Sequence, residues 1–190
     1  MSCGEGGALL INDEKFMDRA ETLLEKGTNR KQFIKGLVDK YTWVDIGSSY
    51  LLSELNAAYL YGQLENEKLI LNKRLDIFNK YYKAFWPLQS KIQLPVVPKN
   101  CELNGHIFYL ICRSNEERKR LISFLQEKNI QAVFHYIPLH QSPMGKKWGD
   151  SISLPITEDM SARLVRLPIF YSLTDKEQNL IINEVISFYT

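Results

Sequence analysis

The second half of the chain alternates strand and helix signals, and this alternation constrains the fold most strongly. The predicted elements are a strand at Ile107 to Cys112, a helix at Asn115 to Lys128, strands at Gln131 to Ile137 and Leu164 to Leu167, and a helix at Asp175 to Phe188. Each helix begins with a capping-box pattern, Ser114 with Glu117 and Thr174 with Glu177. The order β-α-β-β-α over about a hundred residues predicts a small α+β domain.

A long helical pattern precedes this domain. It begins at Ser53, its apolar face runs to Phe85, and Pro87 ends it because the residue before a proline disfavours the α region. The polar stretch from Glu65 to Glu67 predicts a break or a bend. Such a length predicts a helix pair, or a long connecting helix that leaves one domain for another.

Three segments lack regular periodicity. Ile92 to Pro98 is extended and limited by prolines, which predicts an edge strand or a linker, and Gln141 to Asp150 is predicted as a loop because it contains glycine and proline. Thr28 to Ser49 is longer, and long irregular loops are often functional. The alternative for this loop is a structural role, in which it covers a core edge and Trp43 anchors it.

The first residues combine a glycine cluster with a short apolar run. Gly4 to Gly7 contains three glycines, which suit a tight reversal or a close approach to a ligand, and Ala8 to Ile11 is predicted as a buried strand. A helix from Asp13 to Lys26 follows, with Gly27 at its C′ position. Because a sheet strand stands so close to Met1, we expect the chain to begin in the middle of a fold.

Composition argues against several classes of partner. The net charge is +2, from 24 basic and 22 acidic residues, which gives no electrostatic case for nucleic acid. No apolar run approaches the roughly 20 residues of a membrane span, and the first residues do not resemble a secretory signal. The three cysteines form neither a CxxC nor a Cys/His pattern. We therefore expect a cytoplasmic protein that binds no nucleic acid, membrane or metal.

His135 to His140 is the segment best suited to ligand chemistry. Two histidines flank Tyr136 and a Pro-Leu turn, at the end of a predicted strand. They can contact an oxygen-rich ligand at the mouth of a cleft, or they can simply bond to loop backbone. A metal site is the weaker interpretation, because no carboxylate or cysteine lies nearby at ligand spacing.

Taken in order, several motifs resemble the pyridoxal-phosphate (PLP) sugar aminotransferases of the DegT/DnrJ/EryC1/StrS family. These motifs are Gly4-Glu5-Gly6-Gly7-Ala8, Glu25 to Arg30, Tyr41 to Tyr50, Ser53 to Ala58, His135 to His140 and Arg166-Leu167-Pro168. The resemblance implies an α/β fold, namely the C-terminal part of a fold-type I PLP-dependent transferase. Residues 1–64 would be the remainder of the large PLP-binding domain, with a strand and helices. Residues 65–90 would be the connecting helix and residues 91–190 the small α+β domain.

The resemblance also implies a function and its site residues. The family activity would be amino transfer from glutamate to a dTDP-4-keto-6-deoxy sugar in cell-surface polysaccharide biosynthesis, carried out by a homodimer. Many relatives have a phosphate-contacting asparagine where this chain has Ser49. The implied contacts are Ser48, Ser49 and Tyr50 for the cofactor, and His135, Tyr136 and His140 for the sugar nucleotide.

One family residue has no counterpart in this sequence. The lysine that binds PLP covalently lies just before the Gly-Glu-Gly-Gly segment in the family, and no lysine here has that context. We therefore expect no catalytic residue in this chain, no covalently bound PLP, inactivity of the isolated chain, and self-association or pairing with a separate N-terminal half. The alternatives are a non-enzymatic interaction module and a small-molecule-binding domain built on this fold.

Overall fold

The computed structural model describes residues 2–149 and 152–190, which form two compact units, Met1–Glu67 and Lys68–Thr190. Within the described chain, no helix is long and apolar enough to cross a membrane. The domain roles expected for residues 1–64, 65–90 and 91–190 stay a prediction.

The first unit is built from short helices. A 3₁₀ turn at Glu14–Phe16 leads into α1, and the further helices are α1 at Met17–Leu24, α2 at Arg30–Ile34 and α3 at Glu54–Glu65. Asp13 begins the first turn by accepting the Lys15 amide at 3.1 Å, and Ser53 begins α3 by accepting the Asn56 amide at 3.2 Å. The sequence pattern had indicated a helix start at each of these two residues.

The helix α1 ends at Leu24, two residues before the predicted end at Lys26. Lys26, at φ +62°, occupies the left-handed C′ position, and Gly27 follows at φ +74°. The Gly27 amide donates to the Thr22 carbonyl at 2.8 Å, which closes the helix as in a Schellman motif. The predicted assignment of Gly27 to C′ is therefore wrong, because two consecutive residues adopt positive φ here.

The strand predicted at Ala8 to Ile11 is not formed. This segment has no ladder partner among the described residues, and Leu9 and Leu10 are 78% and 85% exposed. A strand requires a neighbouring backbone to satisfy its amides and carbonyls, and residues 2–67 offer none at this edge. The apolar pattern indicated a buried strand because it reports hydrophobicity and not the presence of a partner.

The segment from Thr28 to Ser49 is more ordered than its sequence indicated. It contains α2, and isolated antiparallel bridges join Glu25 to Ser49 and Thr28 to Trp43. The Trp43 side chain is 75% exposed, so it does not anchor the loop. The Gly27 carbonyl has that role, because it accepts the amides of Val44 and Asp45 at 2.8 and 3.0 Å.

The second unit packs helices on one face of a small sheet. Its elements are α4 at Glu67–Phe85, a 3₁₀ turn at Trp86–Leu88, β1 at Phe108–Ile111, α5 at Asn115–Glu127, β2 at Val133–Phe134, a 3₁₀ turn at Leu139–Gln141, α6 at Pro143–Trp148, α7 at Pro155–Arg163, β3 at Leu164–Leu167 and α8 at Asp175–Tyr189. The strand order is β1-β3-β2, and both pairs are antiparallel. As predicted, the helical pattern breaks at Asn66, between α3 and α4.

The core of this unit is aromatic and aliphatic. Phe108 is fully buried and packs against the rings of Phe78 and Tyr81 at centroid distances of 4.9 and 5.0 Å. Leu121 of α5 and Val185 of α8 are also fully buried, as their periodicity predicted. Apolar burial of this kind supplies most of the stabilising free energy of a small domain.

Two predictions in this unit need correction, and one helix was not predicted. The strand predicted at Gln131 to Ile137 is two residues long, and the loop predicted from Gln141 contains α6, which begins at Pro143 with Ser142 as its cap. Asp150, the predicted end of that loop, lies outside the described residues. The helix α7 was not predicted. Ile92 to Pro98 is a linker with a single bridge, Gln93 to Ile111. In α6 and α7 a proline occupies the first helical position, where its fixed φ favours the start of a helix. Pro143 therefore begins a helix and does not indicate a loop.

Candidate functional site

His140 is held in place by a carboxylate. Its Nε2 lies 2.9 Å from Oε1 of Glu158, and the same oxygen accepts the Leu154 amide at 3.0 Å. Both hydrogen bonds hold the pKa of Glu158 below its ordinary value, and the bond from the Leu154 amide has the larger effect. The side chain of His140 is 17% exposed, so the imidazole is largely enclosed yet reachable. A site role for Glu158 was not predicted from the sequence, although Pro155, three residues earlier, is typical of a helix start.

His135 and Tyr136 occupy the end of β2. Their rings meet edge-on at a centroid distance of 5.5 Å, and Nδ1 of His135 is buried without a hydrogen-bond partner in the described structure. Tyr136 is 78% exposed, and its carbonyl accepts Oγ of Ser161 of α7 at 3.1 Å. No hydrogen bond within residues 2–149 or 152–190 joins His135 to His140, whose ring is paired with Glu158 instead.

Ser48, Ser49 and Tyr50 lie along the end of α1. The Ser48 amide donates to the Leu23 carbonyl at 3.0 Å, and the Ser48 carbonyl accepts the Lys26 amide at 3.0 Å. The Tyr50 amide donates to Leu24 at 3.2 Å. The backbone of all three residues is thus fixed, while their side chains are exposed.

A cavity of about 800 Å³ lies beside Tyr50 in the first unit. Its walls come from residues 7–13 and from the apolar side of α1, including Leu23. The lining is mostly apolar, and Arg19 is its cation; Arg19 forms an ion pair with Asp45. An apolar concavity of this size suits either a ligand or another polypeptide segment.

No cluster of three or more His, Cys, Asp or Glu side chains in the described residues could hold a metal ion. The cysteines Cys3, Cys101 and Cys112 are all free thiols.

The chain is similar in sequence to known aminotransferases. The profile of the DegT/DnrJ/EryC1/StrS aminotransferase family matches residues 1–186. GDP-perosamine synthase of Escherichia coli O157:H7 is 29% identical over 193 residues, which are all of this chain and 49% of that protein. The dTDP-4-dehydro-2,3,6-trideoxy-D-glucose 4-aminotransferase of Saccharopolyspora spinosa is 25% identical over 95% of this chain and 47% of its own length.

The fold is also found among solved structures. The aminotransferase TlmJ from Streptoalloteichus hindustanus superposes with a TM-score of 0.80 at 18% identity, over 94% of this chain and 46% of that one. The predicted α/β class is confirmed, since the match covers about half of a fold-type I sugar aminotransferase. This chain likewise spans about half the length of the curated relatives it matches. Because the family profile covers almost all of it, the chain belongs to the DegT/DnrJ/EryC1/StrS aminotransferase family.

Proposed function

We propose that this chain is the C-terminal part of a PLP-dependent sugar-nucleotide aminotransferase. The reaction would transfer the amino group of glutamate to a dTDP-4-keto-6-deoxy sugar, as in dTDP-4-amino-4,6-dideoxygalactose transaminase. The observation that carries the proposal is the family match over residues 1–186, together with relatives named for sugar-nucleotide amination. Because the chain spans about half of those relatives, the rest of the active site would come from the other half of the fold.

The residues at the end of α1 suit the phosphate of the cofactor. No side-chain hydrogen bond in the described structure engages the hydroxyls of Ser48 and Ser49, and both are exposed on a fixed backbone. Hydroxyl donors of this kind commonly bind phosphate oxygens. The family uses PLP, which supplies the electron sink for amino transfer when it is bound. Ser48 and Ser49 would orient it, and Tyr50 would border it.

The histidine segment suits the sugar nucleotide. Glu158 accepts a hydrogen bond from Nε2 of His140. This bond would fix the ring and leave Nδ1 to contact an oxygen of the substrate. The exposed hydroxyl of Tyr136 and the unpartnered Nδ1 of His135 add two further groups that bond to oxygen. These residues would bind and orient substrate and would not perform the chemical step.

The test supplies the half of the family fold that this chain does not span. A separate polypeptide carrying the catalytic lysine is co-expressed with this chain, and amino transfer from glutamate to a 4-keto sugar nucleotide is assayed. We expect a stoichiometric complex with activity, because association would bury exposed apolar surface on both parts. A soluble complex that binds PLP and transfers no amino group would contradict the assignment.

Variants of that complex separate the two sets of contacts. His140→Ala and His135→Ala should raise the KM for the sugar nucleotide by about tenfold, the effect of losing one hydrogen bond to a charged or strongly polar group. Ser49→Ala should instead weaken PLP binding. Glu158→Gln should raise the same KM as His140→Ala, whereas the neighbouring Asp159→Asn, which pairs with Arg163, is the matched control. Equal effects of Glu158→Gln and Asp159→Asn would argue against the orienting role of Glu158.

A further inference from the structure

Arg166 lies on the face of the sheet opposite the helices. In β3 the neighbours Val165 and Leu167 are buried in the core, so Arg166 points to the other face. It stands between Tyr109 of β1 and Val133 of β2, which are its direct register partners. Arg166 is partly buried, and a guanidinium nitrogen that is removed from water costs free energy unless an acceptor is close to it.

The guanidinium has no such acceptor within the chain as described. Its Nε is buried without a hydrogen-bond partner, and no carboxylate in residues 2–149 or 152–190 forms an ion pair with Arg166. Arg118 also has an unpartnered Nε, but its guanidinium lies over the ring of Phe134 at 5.8 Å. Among the described residues no aromatic ring forms a cation–π pair with Arg166, which instead borders an open cavity.

The cavity beside Arg166 has a volume of about 240 Å³, and hydrogen bonds from the core hold two of its lining residues in place. Arg74 of α4 donates to the carbonyls of Gly105 and His106 at 3.0 and 2.6 Å, which holds the His106 wall. The buried hydroxyl of Tyr81 donates to the Pro168 carbonyl at 2.9 Å, which holds Pro168, a second lining residue, in place. The cavity is therefore supported by the core of the unit and not by loop contacts alone.

The groups at the cavity suit an oxyanion. Arg166 offers the parallel N–H donors that bind carboxylate or phosphate in a bidentate manner, and Gln131 and His106 also line the cavity. Nδ1 of His106 is already engaged by Oδ1 of Asn104 at 2.7 Å, so Arg166 is the principal donor. The volume is below the roughly 300 Å³ at which pockets for drug-sized ligands begin. It therefore has room for one small anionic group and not for a whole nucleotide.

We propose that the Arg166 cavity, bordered by Gln131 and His106, is a binding site for a small oxyanion that carries a carboxylate or a single phosphate group. Such an ion would accept from Nε and Nη of Arg166 and would satisfy the unpartnered nitrogen. None of the residues that line this cavity belongs to the histidine segment or to Ser48 to Tyr50. It rests on the geometry of the second unit alone, so it does not depend on the proposed function.

The test uses the whole chain and follows the Nε–H resonance of Arg166 by NMR. Sodium glutamate probes a carboxylate source, sodium phosphate probes a phosphate source, and sodium chloride at matched ionic strength is the control. We expect at least one of the two oxyanions to shift this resonance with saturation, and chloride to leave it unchanged. A shift with glutamate alone would identify a carboxylate ligand, and a shift with phosphate alone a phosphate ligand.

Variants then test whether Arg166 itself binds the anion. Arg166→Met should weaken the Kd of the active probe by about tenfold or more, because a charge-assisted bidentate pair is lost. Arg120→Met, at an exposed arginine of α5, should change it by less than about twofold, as expected for a surface charge. If Arg166→Met does not fold, Arg166→Lys keeps the charge without the bidentate geometry and should still bind more weakly.

Two results would overturn the proposal. One is that neither anion shifts the Arg166 resonance, and the other is that Arg166→Met, or Arg166→Lys, binds as tightly as the unmodified chain. Neither result bears on the amino-transfer assay, which needs the other half of the fold. If the chain binds an oxyanion at Arg166 but the complex transfers no amino group, the oxyanion site is supported and only the proposed function is contradicted.

Discussion

At the scale of single residues, two glycines determine how the loop before Ser48 closes on α1. A Cβ at position 47 would lie 2.0 Å from the amide nitrogen of Gly27, and a Cβ at position 27 would lie 1.8 Å from the Asp45 carbonyl oxygen. Real Cβ atoms essentially never lie this close to backbone atoms. The segments around Gly27 and Gly47 can therefore approach each other only because both residues lack side chains.

We expect Gly47→Ala to lower the free energy of unfolding of the first unit by about 1–3 kcal/mol, because the backbone must separate to admit the methyl group. Gly62→Ala is the matched control. Its Cβ meets open space in the interior of α3, so it should raise that free energy by about 0.5–1 kcal/mol. Urea titrations followed by amide resonances of the first unit measure both. A Gly47→Ala chain as stable as the unmodified one would refute the close approach.

At the scale of elements, the two predicted capping boxes have different outcomes. In α8 the box is complete: the Thr174 hydroxyl accepts the Glu177 amide at 3.2 Å, and the Glu177 carboxylate accepts the Thr174 amide at 2.8 Å. In α5 Ser114 accepts the Glu117 amide at 3.1 Å, but the Glu117 carboxylate binds Nε of Arg113 at 2.9 Å. The same sequence pattern therefore gives a full box only where no competing cation lies four residues away.

Thr174→Ala should lower the free energy of unfolding of the second unit by about 1 kcal/mol, the usual effect of losing an N-cap. Thermal unfolding followed by circular dichroism measures the loss. Thr174→Ser keeps the hydroxyl and is the control, so it should recover most of the stability. If Thr174→Ser were as destabilised as Thr174→Ala, the hydroxyl would not be the stabilising group.

The capping carboxylate also predicts a pH dependence. Hydrogen bonds from the side chain and backbone of Thr174 hold the pKa of Glu177 below its ordinary value of 4.5. A carboxyl with a lowered pKa in the folded state stabilises the fold above its unfolded pKa, and this contribution disappears as pH falls through the folded pKa. The stability difference between the unmodified chain and Glu177→Gln should thus be full at neutral pH and shrink below 4.5. Urea titrations across this pH range measure it, and a constant difference would argue against the assignment.

At the scale of the whole molecule, exposed apolar surface predicts self-association. Leu9 and Leu10 are more than three-quarters exposed and stand beside the apolar cavity of the first unit. Contiguous apolar surface of this kind is usually covered by a partner, and a second copy of this chain is the partner we expect when no other half is supplied.

Sedimentation at micromolar concentrations should therefore show species larger than a monomer. Leu10→Glu should shift the distribution towards monomer, because it places a charge in the contact. Val96→Glu, at a similarly exposed residue of a proline-limited linker in the second unit, should leave it unchanged. A monomeric unmodified chain would contradict the expectation, and equal effects of the two variants would place the contact elsewhere.

The sequence by itself determined the features that depend on neighbours along the chain. The caps at Ser53 and Thr174, the break at Asn66 and the buried positions of α5 follow from side chains within one or two helical turns. The order of the motifs along the chain also indicated the family, because each motif is recognised from its own residues. These signals are local, so no knowledge of the tertiary structure was required to interpret them.

The tertiary structure decided what depends on partners distant in sequence. Ala8 to Ile11 has the composition of a strand, but strand formation requires a second backbone, and the described residues offer none. The pairing of His140 with Glu158, 18 residues away, and the unpartnered Nε of Arg166 arise only when α7 and β3 are in position. Periodicity reports which residues avoid water, whereas hydrogen-bond partners and cavities depend on where the whole chain brings them.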